Sequence, residues 1–374
     1  MIELRRKIEE TIRGRGEPIP FSTYMEMCLY DREFGYYRRN AAQFGRAGDF
    51  YTSSDVNAVF GRLLARQFDE MWRLMGSPEP FLVLEQGAGR GHCACDVLDW
   101  SEKKFPDFFR AVHFYTSEDS PALGKHIERT LQRHFQSGKA SFLPREDSLS
   151  KMNIIFANEL FDALPVRIVS KHGSLHVDAR DGKFVEVWLP ASDEELEFLD
   201  RYSVHPEEGE RIEVPLTLLV GLTFSPEQGF VVIIDYGYTR EEQLQGRHRG
   251  TLKAVRKHSV SRNPYEAPGE QDITADVNFT ALAGIARQRG FHVYRLITQS
   301  QFLMGIGEAN QFADAFEDCR LPQERVKVAL QLKHLVTPVG MGETFHVLLA
   351  SRGIKDSRVA GLSGLSFGSP SRES

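Results

Sequence analysis

The sequence predicts an α/β fold: a mostly parallel, doubly wound sheet carrying an N-terminal helical cap and an inserted α+β subdomain. Three observations carry this reading. The short apolar runs FLVLE (81–85), NIIFA (153–157) and GFVVIID (229–235) read as strands buried on both faces. Segments with helical spacing alternate with them, as expected for a parallel sheet covered by helices on both sides. Between residues 165 and 228 the pattern changes to short alternating strands joined by His172-Gly173 and Asp181-Gly182 turns, which predicts a small antiparallel meander.

In chain order, residues 2–13 have a helical pattern, and a second helix opens at Ser22, after Pro20. Residues 31–55 mix Gly, Tyr, Phe and charge without a period, as structured binding loops do. Ser54 or Asp55 caps a helix to about Met75, with Val59, Phe60, Leu63, Leu64, Phe68, Met71 and Trp72 on one face. Strand 81–85 leads into a helix over 91–100. Strand 112–117, a helix over 121–135, a short strand at 141–143 and strand 153–157 follow. The meander covers 166–170, 175–178 and 183–189. Two more strands are expected at 290–298 and 343–350, with helices between them. The Ser- and Gly-rich tail from Arg352 is expected to be disordered. The expected division is a cap and lid loop (1–78), a core (79–164 and 229–351), an insert (165–228) and the tail (352–374).

The chain has 374 residues, 41% apolar, enough for a large core carrying insertions. A formal charge of −6 removes the electrostatic case for a nucleic-acid partner. No run of 18 apolar residues suggests a membrane span. The start, MIELRRKIEE, has no apolar signal region, so a cytoplasmic location is expected. The four cysteines, Cys28, Cys93, Cys95 and Cys319, are too few and scattered for a disulfide framework. Cys93 and Cys95 lack a second Cys/His pair, so packing is expected of them and no metal.

The central motif is V-L-E-Q-G-A-G-R-G-H. A glycine loop between strand and helix admits a ligand to the backbone. Its G-x-G-x-G spacing, through Gly87, Gly89 and Gly91, differs from the dinucleotide fingerprint. Glu85 ends the strand before it, and Glu118 ends the next strand, where a carboxylate can accept from two ribose hydroxyls. These acids suit a sulfonium cation such as S-adenosylmethionine and would repel a pyrophosphate. The second motif, A-N-E-L-F-D-A-L-P (157–165), follows a buried strand. Asn158 can orient an amine, and Glu159 and Asp162 can hold a guanidinium. Asn158 could equally cap a helix that Glu159 begins. The third, G-R-A-G-D-F-Y-T-S (45–53), offers Gly48, Asp49 and Thr52 as a ligand lid or as a capped turn. The fourth joins Asp235 to Gly250-Thr251-Leu252 and to His258, a candidate base.

The ordered set GDFYTS, LEQGAGRG, SEDSPAL, ANELFDALPV, IDYGY, GTL, PGEQDITADVNF, TQSQFL and MGETFHVLL resembles the MidA-like methyltransferases over about residues 15–350. The resemblance implies a Rossmann-like class I methyltransferase with a seven-stranded sheet, S-adenosylmethionine as cofactor, and transfer to a protein arginine nitrogen. The family's mitochondrial branch is associated with arginine methylation of a complex I subunit and with assembly of that complex. Gly87, Gly89, Gly91 and Glu118 carry over as cofactor contacts, and Asn158 and Glu159 as the substrate-side rim. The sequence departs from the family at His92-Cys93, where Thr-Leu is familiar, and at Glu85-Gln86. The expected partner is a protein substrate, and a homodimer is compatible. A non-catalytic, cofactor-binding assembly factor is the alternative. A nicotinamide oxidoreductase is disfavoured by the loop spacing.

Overall fold

The structure is a computed structural model that describes residues 2–39, 58–144, 146–216, 225–256, 259–261, 263–337 and 341–367. The N-terminal helix Ile2–Arg15 buries Leu4, Ile8 and Ile12, one residue per turn. Strand β1 (Ile19–Pro20) and helix Phe21–Tyr30 follow, then a single turn of helix at Tyr36–Arg39. Helix Ala58–Leu74 buries the seven apolar residues expected of it.

The main sheet is built from β2 (Phe81–Gln86), β3 (Val112–Ser117), β4 (Ala140–Phe142) and β5 (Ile154–Asn158). The insert holds β6 (Arg167–Ser170), β7 (Gly173–Arg180), β8 (Lys183–Leu189), helix Asp193–Tyr202 and β9 (Ile212–Val214). The chain then returns to the main sheet as β10 (Gly229–Tyr238). A small antiparallel sheet of β11 (Lys253–Arg256), β12 (Ser259–Ser261) and β13 (Asp272–Thr274) comes next. The last strands are β14 (Val277–Asn278), β15 (His292–Val293), β16 (Ile297–Thr298) and β17 (Phe345–Arg352).

The main sheet runs β15-β17-β10-β5-β2-β3-β4, with β14 on β10 and β16 on β17. Strands β4, β3, β2, β5 and β10 are parallel, and β17 is antiparallel to β10. The alternation that makes a two-faced strand is explicit in the core. Val83, Phe230, Val232 and Ile234 join one hydrophobic cluster, while Leu84, Ile155, Val231 and Ile233 join the cluster on the opposite face. Strand order reverses between β2 and β5, which opens a crevice at their C-terminal ends, the usual ligand position in such sheets.

Among the described residues the main sheet has nine strands, seven along its path with β14 and β16 beside it. Four expectations change. The strand expected over 290–298 is two short ones, β15 and β16, both paired to β17. The expected cap does not stand alone: β1 pairs with β7 of the insert, and Leu4, Ile8 and Tyr24 share one core with Ile168, Leu175 and Val177. Helix Ala58–Leu74, assigned to that cap, packs into the main core instead. Residues 352–367 of the expected tail are ordered. Leu362 and Leu365 are buried, and the Ser363 and Gly364 N–H groups bond Glu70 and Gln67, each at 2.9 Å. A Cβ on Gly364 would lie 2.4 Å from Gln67 and Phe302, so the small residues taken as signs of disorder permit a close approach. Among the described residues no helix is long and apolar enough to cross a membrane.

Candidate functional site

Strand β2 enters the glycine loop, whose three glycines all have positive φ: 67°, 55° and 77° at Gly87, Gly89 and Gly91. The loop hangs from β3, since the Gly87 and Ala88 N–H groups both donate to the Ser117 carbonyl, at 2.9 and 3.2 Å. A Cβ on Gly87 would meet Leu160 at 2.8 Å, so the loop touches the segment after β5 across the crevice. A Cβ on Gly89 would meet nothing within 4 Å, leaving the backbone there open to a ligand.

Glu118 follows β3 and spans the loop. One carboxylate oxygen accepts from Gly89 N–H at 3.1 Å, the other from Ser120 N–H at 2.9 Å. Burial pushes its pKa up, and these bonds pull it back. Glu85 is 4% exposed. Burial pushes its carboxyl up to about 8, opposed by bonds from the Cys93 thiol and Ala94 N–H. Its Oε2 is buried and has no hydrogen-bond partner. Cys93, read as a packing residue, is therefore also a donor to the strand-end acid. Cys95 turns elsewhere, its thiol 3.8 Å from Asp99, whose carboxylate also takes Arg133 at 2.6 Å and His134 at 2.7 Å. Cys95, Asp99 and His134 lie close enough to share an ion, but Arg133 already neutralises the carboxylate.

The opposite rim is the end of β5, in register with β10 through Ile234↔Asn158. Asn158 is buried, its amide donates to Glu159 Oε1 at 3.1 Å, and its Oδ1 is a buried acceptor without a partner. Glu159 holds φ at +51°, a left-handed conformation costly for a side-chain-bearing residue. Its N–H is tied to the Ile234 carbonyl at 2.9 Å. Asp235 anchors the next turn by accepting from Phe161 N–H at 2.8 Å and Leu160 N–H at 3.2 Å, while its other oxygen takes Tyr236 N–H at 2.9 Å. Burial and Asp162 push Asp235 well above the usual carboxylate range. No helix starts at Asn158, so the capping alternative is not realised.

A cleft of about 860 Å³ opens from Glu159 past Tyr236, Asp276, His248 and His346. Asp162 does not line it: buried behind the wall, it accepts the Tyr236 hydroxyl, and burial pushes its pKa up to about 6. Of the other candidates, Gly48, Asp49, Thr52 and His258 lie outside the described residues.

The sequence reading missed the contribution of the N-terminal segment. The Tyr30 hydroxyl donates to the Ala163 carbonyl at 3.0 Å, and Tyr37 donates to Asp272 at 2.6 Å. The two rings pair at 5.5 Å. Burial, then Asp162, Asp272 and Glu118, push the Tyr30 phenol well above its ordinary value, which places it beside acids from both rims. The only sequence signal was the aromatic density after residue 30.

A switch-point crevice with open glycines, an unpartnered buried carboxylate oxygen and a strand-end acid on each side fits a cationic nucleoside. Residues 63–297 match the family model described as S-adenosyl-L-methionine-dependent methyltransferase, and the chain belongs to that family. It is 31% identical to the protein arginine methyltransferase NDUFAF7 homolog, mitochondrial, of Drosophila melanogaster, over 94% of this chain and 85% of that one. It is 28% identical to the mitochondrial protein arginine methyltransferase NDUFAF7 of Danio rerio, over 88% of this chain and 82% of that one. A crystal structure of a Burkholderia thailandensis protein bound to S-adenosyl-homocysteine superposes with a TM-score of 0.83 at 26% identity, covering 99% of this chain and 96% of that one. The protein is a methyltransferase of class I fold that uses S-adenosylmethionine.

The raised Glu85 gives one expected result. Near pH 7 a carboxyl at about 8 is largely protonated in the free protein. A cation bound beside it favours the charged form, so binding expels a proton, and affinity rises with pH and levels off above about 8, where the free group is ionised. Calorimetry of S-adenosylmethionine binding at pH 7 in buffers of different ionisation heat should show proton release, and Glu85→Gln should abolish it. Identical enthalpies in every buffer would refute the linkage.

Proposed function

We propose that this chain is a protein arginine N-methyltransferase. The observation that carries the reading is the Asn158–Glu159 pair, which stands between the cofactor crevice and the cleft. A guanidinium in that cleft would meet a carboxylate with fork geometry at Glu159, and Asn158 Oδ1 is a buried acceptor in want of a donor. Gly87, Gly89, Gly91, Glu85 and Glu118 would hold the cofactor, with Glu118 on the ribose hydroxyls. When bound, the cofactor supplies an electrophilic methyl group. The protein's own contribution is alignment of the acceptor nitrogen with that methyl, which accounts for much of the acceleration in such transfers. The relatives named protein arginine methyltransferase support the substrate class.

The same proposal takes the catalytic core to be the seven-stranded class I sheet, with β14 and β16 as additions, divided as 79–164 and 229–351 around the insert 165–228. It gives the enzyme a protein partner, and the charge of −6 supports an acceptor other than nucleic acid. It sets the enzyme in the cytoplasm, consistent with four free cysteines, although the curated relatives carry mitochondrial names.

The test is transfer of labelled methyl groups to proteins of a cell lysate, with mass spectrometry to locate the modified residue. Modified arginine is expected; label on another residue type would overturn the reading. Binding without transfer to any protein would favour the non-catalytic assembly factor. Cofactor binding has its own check: Glu118→Ala should weaken S-adenosylhomocysteine binding by roughly 10- to 100-fold, the loss of one or two hydrogen bonds to a charged group. An unchanged dissociation constant would remove Glu118 from the site.

A further inference from the structure

We propose that His248, oriented by Asp276, is the proton acceptor for the methylated nitrogen, an inference that rests on the arginine reading above. Four observations converge on it. His248 lines the same cleft as Glu159. Its Nδ1 lies 3.1 Å from Asp276 Oδ2, and among the described residues Nε2 makes no hydrogen bond. The ring stacks on buried Tyr238, with centroids 5.2 Å apart and planes 19° from parallel. The backbone holds φ at +53°, a strained value for histidine.

That strain is enforced from several directions. The His248 carbonyl accepts from the Gln243 amide at 3.2 Å, and Gln243 is fully buried, held by the Ser203 hydroxyl at 2.7 Å. Asp276 is fixed in turn, its N–H bonded to the Thr251 hydroxyl at 3.0 Å and its Oδ1 to Lys253 at 3.0 Å. A carboxylate on Nδ1 sets the tautomer with its lone pair on Nε2 and stabilises the imidazolium that forms. Surface histidines do not need such support. The base foreseen in the sequence was His258. The structure supplies a positioned one ten residues earlier, and Asp276 is its positioning residue.

The step balances. The acceptor nitrogen's electron pair forms the N–C bond to the methyl carbon, and the C–S bond breaks with its pair going to sulfur, which becomes a neutral thioether. The N–H proton passes to His248 Nε2 and then to solvent. One positive charge leaves the sulfonium and one appears on the imidazole, while the guanidinium remains a cation. Beside the histidine lie Asp276, which also holds Lys253, and the Tyr238 ring, and Glu242, Arg247 and His346 line the same cleft. Asp276 is the acid in direct contact.

The experiment compares wild type, His248→Gln and Asp276→Asn as full chains. The first readout is initial methyl incorporation into lysate protein, with and without added imidazole. General-base catalysis is typically worth 10²–10⁴-fold, so His248→Gln should fall by about 100-fold, and added imidazole should restore part of its rate. Asp276→Asn should also lose rate, because the ring's tautomer is no longer set, and added imidazole should not restore it. S-adenosylhomocysteine affinity should stay within about threefold in both, which separates a lost base from a lost fold. A wild-type rate in His248→Gln overturns the assignment. If wild type modifies no arginine, the arginine reading fails by itself. The dyad is then judged by reading the histidine ring tautomers by nitrogen NMR in the S-adenosylhomocysteine complex. A His248 ring protonated at Nδ1 that loses this tautomer in Asp276→Asn supports it, and a tautomer unaffected by Asp276 overturns it.

Discussion

A Glu159→Gln enzyme is expected to lose about 10²–10³-fold of its methyl-transfer rate, the typical effect of removing one preorganised polar group from a reacting centre. Its S-adenosylhomocysteine affinity should stay within about threefold. The substitution preserves size and removes charge. The backbone should hold, because Glu159 N–H is bonded to the Ile234 carbonyl and the position is set by the β5–β10 register. What disappears is the anion at the boundary between crevice and cleft. A neutral amide offers one acceptor where the carboxylate offers two, and it cannot help localise a cationic acceptor's charge. The loss should fall on the rate at saturating cofactor, and the cofactor's own dissociation constant should report an intact loop. An enzyme that keeps its rate would show that Glu159 serves only the strand end, and the substrate side would have to be sought at Tyr236 or further along the cleft.

Legibility in the sequence followed locality. Strands β2, β5 and β10 were visible because burial on both faces forces an uninterrupted apolar run, and the glycine loop because three positive-φ positions demand glycine. Strand β1 was invisible: two residues, Ile19 and Pro20, have no period, and their partner β7 lies more than 150 residues away. Asp162 was misplaced because its spacing from Glu159 suggests one surface, whereas the positive φ at Glu159 turns the chain so that Asp162 faces Tyr236. His248 was passed over because its partner is 28 residues distant and its conformation is enforced by Gln243, which nothing in the local sequence marks. The tail misled for another reason. Glycine and serine signal disorder when they are exposed, yet they also allow the tightest packing, as Gly364 does against Gln67 and Phe302.

Asp235→Ala is expected to destabilise the fold by about 3 kcal/mol and to weaken the site with it. Each buried donor left without a partner costs about 1–3 kcal/mol, and the costs of neighbouring groups are not additive. Three N–H groups, those of Leu160, Phe161 and Tyr236, depend on this one fully buried side chain. Water cannot replace it without opening the space between β5 and β10. Asp235→Asn should cost less, about 1–2 kcal/mol, since one amide oxygen can still serve the pair from Leu160 and Phe161 while its NH₂ faces the Tyr236 donor. Urea unfolding should therefore rank wild type above Asn above Ala, with the slope of the transition unchanged. The site should follow the same order, because Leu160 lies against Gly87 and the turn it belongs to carries Glu159. If Ala and Asn unfold together within about 0.5 kcal/mol of wild type, the three N–H groups have found other partners, and Asp235 does not hold the rim.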